Sequence, residues 1–175
     1  MSETNLQYPI GTFEPKPFSN TLKEKMLSDL AALPALMEMA VKDLDEYQLN
    51  TPYRHGGWSP AQFVHHMADS SINYYTRCKF ALAQDNPTIT PFDQDAWITL
   101  NDAAVPVNVS LTLLHALHNK WEKLLTGLSD EDWMRTVVYP DREKPVKLWN
   151  LVSVSVWHGK HHTQQIVAFR ESKNW

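Results

Sequence analysis

Apolar residues recur every three or four positions along four long stretches of this chain, and that period calls for helices rather than strands. In the first, from about Ser19 to about Leu44, the positions Leu22, Met26, Leu30, Leu33, Leu36, Met37 and Val41 share a face. Pro34 lies inside it and brings no N–H to the helical ladder, so a kink or an early break is expected there. The second stretch opens at Ser59-Pro60-Ala61-Gln62, where serine as N-cap, proline at the first helical position and glutamine at the third make a capping box. It continues to about Ala83. The third runs from about Ser110 to Leu125 with Leu114, Leu117, Trp121 and Leu124 on one side, and the fourth from about Leu148 to Ser172.

The connections carry the remaining fold information. Asp85 to Asn108 contains Pro87, Pro91 and Pro106, and segments this long between elements are usually functional or mobile. A short helix fits around Gln94 to Leu100. Between Gly127 and Lys147, the turn signal Tyr139-Pro140-Asp141-Arg142 separates two β-prone runs and admits a small β-hairpin. With only 5 glycines and no internal repeat, the expected architecture is all-α: an antiparallel four-helix bundle with long crossover connections. A length of 175 residues suits a single domain, 1–175.

Several partners are excluded by what the chain lacks. No apolar run approaches a membrane span, and a formal net charge of -4 without a basic cluster argues against nucleic acid. Met1-Ser2-Glu3-Thr4-Asn5 is polar and acidic, unlike a secretory signal, and Cys78 has no second cysteine with which to form an intrachain disulfide. A cytoplasmic location is the expectation, with Cys78 used for packing.

Chemistry is concentrated in histidines. His158 and His162 lie four apart on the fourth helix, where side chains stack on one face and two imidazoles can close on one divalent cation. They continue the stripe of Leu148, Leu151, Val152 and Ser155, with the small Ser155 and Gly159 leaving room. A third ligand is available at His65-His66 on the second helix. His66 shares a face with Gln62, Phe63, Asn73, Arg77 and Phe80, a mixed lining that suits a cavity wall, although the pattern prefers it to His65 only modestly. Three protein ligands with an open position characterise catalytic metal sites, whereas structural zinc has four.

The residues after His158 are Gly159 and Lys160, so the glutamate of an HExxH protease helix is missing. Asp69, three residues after His66, is the nearest carboxylate in sequence and the catalytic candidate, able to orient a ligand or accept a proton; the alternative is an ordinary solvated helix charge. Asp93 and Asp95 in the long connection are further candidates at the mouth of the site. His118, near the core face beside Trp121, is a candidate to support the ligands; His115 and His55 read as surface residues. The seven tryptophans read as core and bundle-end packing, with Trp97 the exception, since an aromatic in a functional loop can cover a small substrate.

These residues resemble the YfiT-like branch of the DinB-like superfamily, a group of metal-dependent hydrolases that includes bacillithiol S-transferases. The resemblance runs through Tyr8-Pro9-Ile10-Gly11, Thr51-Pro52-Tyr53-Arg54 with Gly56-Gly57-Trp58, and His65-His66-Met67-Ala68-Asp69-Ser70. It continues through Pro91-Phe92-Asp93 with Ala96-Trp97, Trp157-His158 to His162, and Trp175. It implies a four-helix bundle, His66 rather than His65 as third ligand beside His158 and His162, a zinc or nickel ion, and a homodimer. Thr163-Gln164-Gln165 departs from the histidine-containing continuation of close relatives. Two enzymatic readings follow: transfer of a low-molecular-weight thiol to an electrophile, or hydrolysis by an activated water. A metal-binding bundle without turnover is the third.

Overall fold

In the computed structural model, residues 6–175 are described. Four long helices dominate: α1 (Asn20–Val41), α3 (Pro60–Ala83), α5 (Val107–Thr126) and α6 (Leu148–Lys173). Two short helices, α2 (Glu46–Asn50) and α4 (Gln94–Trp97), and 3-10 turns at Asn101–Ala104 and Asp132–Met134 lie in the connections. The hairpin forms too: β1 (Thr136–Val137) pairs antiparallel with β2 (Val146–Lys147). α5 starts one turn before Ser110, and α2 is an element that the apolar period did not reveal, because its five residues include none that is buried.

Side-chain contacts fix the directions of the helices. Arg135, whose carbonyl accepts from the Leu148 N–H that opens α6, donates to the carbonyls of Ala81 and Gln84 at the end of α3, so the end of α3 lies beside the start of α6 and the two run antiparallel. His118 and His115 meet Leu30 and Glu38 in reverse order, which makes α1 and α5 antiparallel as well. Lys160 pairs with Asp29 and Arg170 with the Ala40 carbonyl, so α1 and α6 are parallel. His65 meets Ser110 and His118 meets Ser71, so α3 and α5 are also parallel. A parallel pair consecutive in sequence needs a connection the length of the bundle. The proline-rich crossover after α3 supplies it.

α1 runs through Pro34 to Val41 without the expected break. The physical reason lies on another helix. Proline at position 34 leaves the carbonyl of Leu30, four residues earlier, without its helical donor. His118 Nδ1 donates to that oxygen at 2.8 Å and restores the missing bond from α5.

Two apolar clusters fill the bundle. One gathers Leu30, Cys78, Trp121, Trp133 and Val152; the other gathers Met37, Phe63, Met67, Leu114 and Phe169. Cys78 is fully buried and its thiol is pushed up to about 12 by that burial, consistent with a packing role. Among the described residues, no helix is long and apolar enough to cross a membrane.

Candidate metal centre

The capping box at the start of α3 sets the site. Ser59 Oγ accepts from the Gln62 backbone N–H at 3.3 Å, and Gln62 Oε1 accepts from the Ser59 N–H at 3.0 Å. Outside the cap, Trp58 packs edge-on against Phe63 at 5.8 Å, a hydrophobic staple that fixes how the chain enters the helix. The same two rings then cover the imidazoles: Trp58 lies 4.7 Å from His66, and Phe63 lies 5.0 Å from His162. The local signal that starts the helix therefore also builds the wall of the site.

Antiparallel packing of α3 on α6 brings the three candidate histidines together. His66 Nε2 is 3.2 Å from His158 Nε2, which is 2.9 Å from His162 Nε2. Among the described residues, these three form the group of ligand-type side chains whose donor atoms all lie within 4.8 Å of one another. Nitrogens bound to one tetrahedral ion at about 2.0–2.1 Å stand about 3.3 Å apart, so the spacing fits a single cation with modest adjustment. The outer nitrogens are engaged elsewhere. His158 Nδ1 lies 3.3 Å from Ser70 Oγ, and His162 Nδ1 lies 2.7 Å from Gln165 Oε1. Since an amide oxygen only accepts, His162 carries its proton on Nδ1 and turns a lone pair inward.

Burial keeps the cluster neutral. It pushes His66 down to about 3, with the neighbouring His162 adding to the effect. His158 is also lowered to about 3 by burial first and then by His66 and His161, and His162 is held well below its ordinary value for the same leading reason. Neutral imidazole is the form that binds a cation, so this donor set fits a divalent metal.

The other predicted residues fall outside the cluster. Asp69 is half-buried, and burial followed by the charge of Asp102 raises its carboxyl to about 6; no hydrogen bond among the described residues joins that carboxylate to the three imidazoles. Asp93 is exposed and caps α4, its Oδ1 accepting from the Ala96 N–H at 3.0 Å. Asp95 is exposed. His118 does not support the ligands as expected: its Nε2 accepts from Ser71 Oγ at 3.1 Å and its Nδ1 serves α1. His65 turns to Ser110 Oγ at 2.8 Å, His161 stacks on Trp157 at 4.8 Å, and His55 and His115 are exposed.

Residues the sequence did not single out complete the site. Ser70 and Gln165 hold the outer nitrogens of His158 and His162, and each sits one helical turn from a clustered histidine, at i+4 from His66 and i+3 from His162. That spacing was the available signal. Phe92, delivered by the crossover, stacks on His66 at 6.0 Å, and Trp97 meets Phe92 edge-on at 4.8 Å. Trp97 thus reaches the site through Phe92 rather than directly. Tyr74 closes the wall beside His158 at 6.3 Å.

Comparison with known proteins bears on this geometry. The family model described as the DinB superfamily matches residues 29–166. A protein of Bacillus cereus (strain AH820), described as a putative metal-dependent hydrolase, is 42% identical over 172 residues, which cover 98% of this chain and 99% of the relative. The solved structure of YfiT from Bacillus subtilis, described as a probable metal-dependent hydrolase with an unusual four-helix bundle topology, superposes with a TM-score of 0.94. It is 39% identical, with 98% of this chain and 99% of that one covered. A four-helix bundle protein, TT2238, shares the fold at 14% identity and a TM-score of 0.57, covering 83% of this chain and 98% of its own.

Proposed function

The chain belongs to the DinB superfamily, and from that membership and the three converging imidazoles we propose that it is a metal-dependent enzyme that transfers a low-molecular-weight thiol to an electrophile. The observation that carries this reading is the composition of the cluster. Three neutral nitrogens, with no carboxylate among them, leave the charge of a bound cation uncompensated. A divalent ion such as zinc or nickel held there would favour the ionised form of a thiol, which is the reactive nucleophile.

The chain's own groups do the rest. His66 comes from α3 and His158 with His162 from α6, so the rigid packing of two helices sets their spacing. Ser70 and Gln165 keep the outer ring nitrogens occupied and the inner ones aimed at a common point. Trp58, Phe63, Phe92 and Tyr74 flank the imidazoles with aromatic surface, the kind an apolar electrophile packs against. The thiol sulfur forms a bond to the electrophilic carbon as the bond to the leaving group, halide in an aryl halide, breaks, and the leaving group and the thiol's proton pass to solvent. A homodimer is part of the same proposal, and analytical ultracentrifugation tests it.

Hydrolysis is the second reading. It is favoured by the raised carboxyl of Asp69, whose value of about 6 suits proton transfer near neutrality, and by the descriptions of the relatives. One pair of assays separates the two. Zinc-loaded or nickel-loaded protein is supplied with bacillithiol or glutathione and a chromogenic aryl halide, and separately with ester and amide substrates. Transfer predicts conjugate formation that survives Asp69→Asn within about threefold. Failure to conjugate any of these thiols, with hydrolysis that collapses in Asp69→Asn, overturns the transfer reading in favour of the second.

A further inference from the structure

Residues 7–16 form a strap that lies along α6, running opposite to it. The Gln7 carbonyl accepts from Gln165 Nε2 at 2.9 Å, the Tyr8 ring lies 6.1 Å from His161, and the Phe13 ring lies 5.9 Å from Trp157. The Lys16 carbonyl accepts from Trp149 Nε1 at 2.7 Å. As the strap advances, its contacts step back along the helix by whole turns. It also walls a groove of about 1170 Å³ between α1 and α6, and none of the three clustered histidines lines that groove.

Gln165 is where the strap and the metal centre meet. Its side chain is 3% exposed, and both ends of its amide are used. A backbone carbonyl only accepts, so the end facing Gln7 must be the NH₂ group. The oxygen therefore faces His162 and accepts its Nδ1 proton. This chain of donors and acceptors admits one arrangement. The strap's carbonyl orients the amide, the amide orients the ring, and His162 Nε2 is left as a lone pair aimed at His158.

We propose that Gln165 is a positioning residue that couples docking of the amino-terminal strap to metal affinity at His162. A bound cation and a docked strap each favour the same amide orientation, so each strengthens the other, and by linkage the coupling is reciprocal. An amide is the side chain suited to the task because it presents an acceptor and a donor on one rigid plane. A glutamate at this position would keep the acceptor for His162 and lose the donor for Gln7; a leucine would lose both. The inference rests on the metal reading of the cluster, but its readout is affinity and not turnover.

The test titrates zinc into the full-length metal-free protein against a competing chelator, with hydrogen exchange followed over residues 6–16. Gln165→Leu is expected to weaken zinc binding about 10- to 100-fold, the range typical of groups that orient metal-bound histidines. Gln165→Glu is expected to weaken it several-fold, less than Gln165→Leu, because the acceptor for His162 survives while the strap contact is lost and the strap exchanges faster. In wild type, zinc should slow exchange in the strap, and in Gln165→Glu that response should be lost. Phe13→Ala, which loosens the strap away from the amide, is expected to weaken zinc binding several-fold in a variant that keeps Gln165. Equal zinc affinity in Gln165→Leu and wild type overturns the coupling. So does zinc binding by Phe13→Ala as tight as that of wild type, or a wild-type strap indifferent to zinc. If wild type takes up neither zinc nor nickel, the proposed function falls as well. If wild type binds and the variants bind equally, only the coupling falls.

Discussion

His66 and His118 are equally buried, each 2% exposed, and burial lowers both below the usual imidazole value, yet they do different work. His118 has a partner at each nitrogen, the Ser71 hydroxyl on one side and the Leu30 carbonyl on the other. It is a complete hydrogen-bonding unit that repairs the gap left by Pro34 and ties α5 to α1 and α3. His66 instead presents Nε2 to another imidazole nitrogen, and His158 does so twice. A ring surrounded by hydroxyl and carbonyl groups is satisfied by protons, whereas rings facing one another are satisfied by a shared cation. Burial and depressed basicity do not distinguish a metal centre from a structural histidine. The chemistry of the facing atoms does.

The contrast can be broken most decisively by removing His158, which touches both other rings. His158→Ala should lower metal content at least tenfold in protein purified without a histidine tag, measured by elemental analysis; His118→Ala should leave it unchanged. Equal metal loss in the two variants would erase the distinction drawn above.

Acid should act next most strongly. The ring of His66 is neutral in both folded and unfolded chains above about pH 6.5, and between there and about 3 only the unfolded chain takes up the proton. Stability of the metal-free protein should therefore fall as pH drops through that window, by up to about 1.4 kcal/mol per pH unit for one such ring. Urea denaturation at a series of pH values reads this slope, and His66→Gln should flatten it. An unchanged slope in that variant would mean that other groups carry the acid response.

His118→Ala should cost roughly 1–3 kcal/mol in the same denaturation assay, because the Leu30 carbonyl and the Ser71 hydroxyl are left unpaired in the interior. Recovery of part of this loss by Pro34→Ala in the His118→Ala background would sharpen the comparison, since the helix then supplies its own donor. The smallest effect belongs to the surface. His115 is exposed and meets the exposed Glu38 at 3.0 Å, so His115→Ala should change stability by less than about 0.5 kcal/mol.

Much of this was legible in the sequence. The start of α3 follows from Ser59, Pro60 and Gln62, and α6 begins at Leu148 as its apolar period indicated. His158 and His162 meet because four residues make one helical turn, which is local geometry. Pro34 and His118 show the limit. Each was read by itself, one as a kink or an early break and the other as a candidate support for the clustered histidines; the helix is not broken at Pro34 and both nitrogens of His118 serve other partners, because the two residues answer one another across a helix interface. Gln165 was visible only as a departure from a pattern, and its function depends on Gln7, far away in the chain but adjacent in space.

The sequence by itself determined the four long helices, the Ser59 cap and the histidine pair on α6, because those depend on interactions within a few residues of one another. Tertiary structure alone decided that α3 lies antiparallel to α6 and presents His66 to that pair, and which nitrogen of each ring faces inward. Both depend on packing and on hydrogen-bond partners brought from distant segments, about which a local period carries no information.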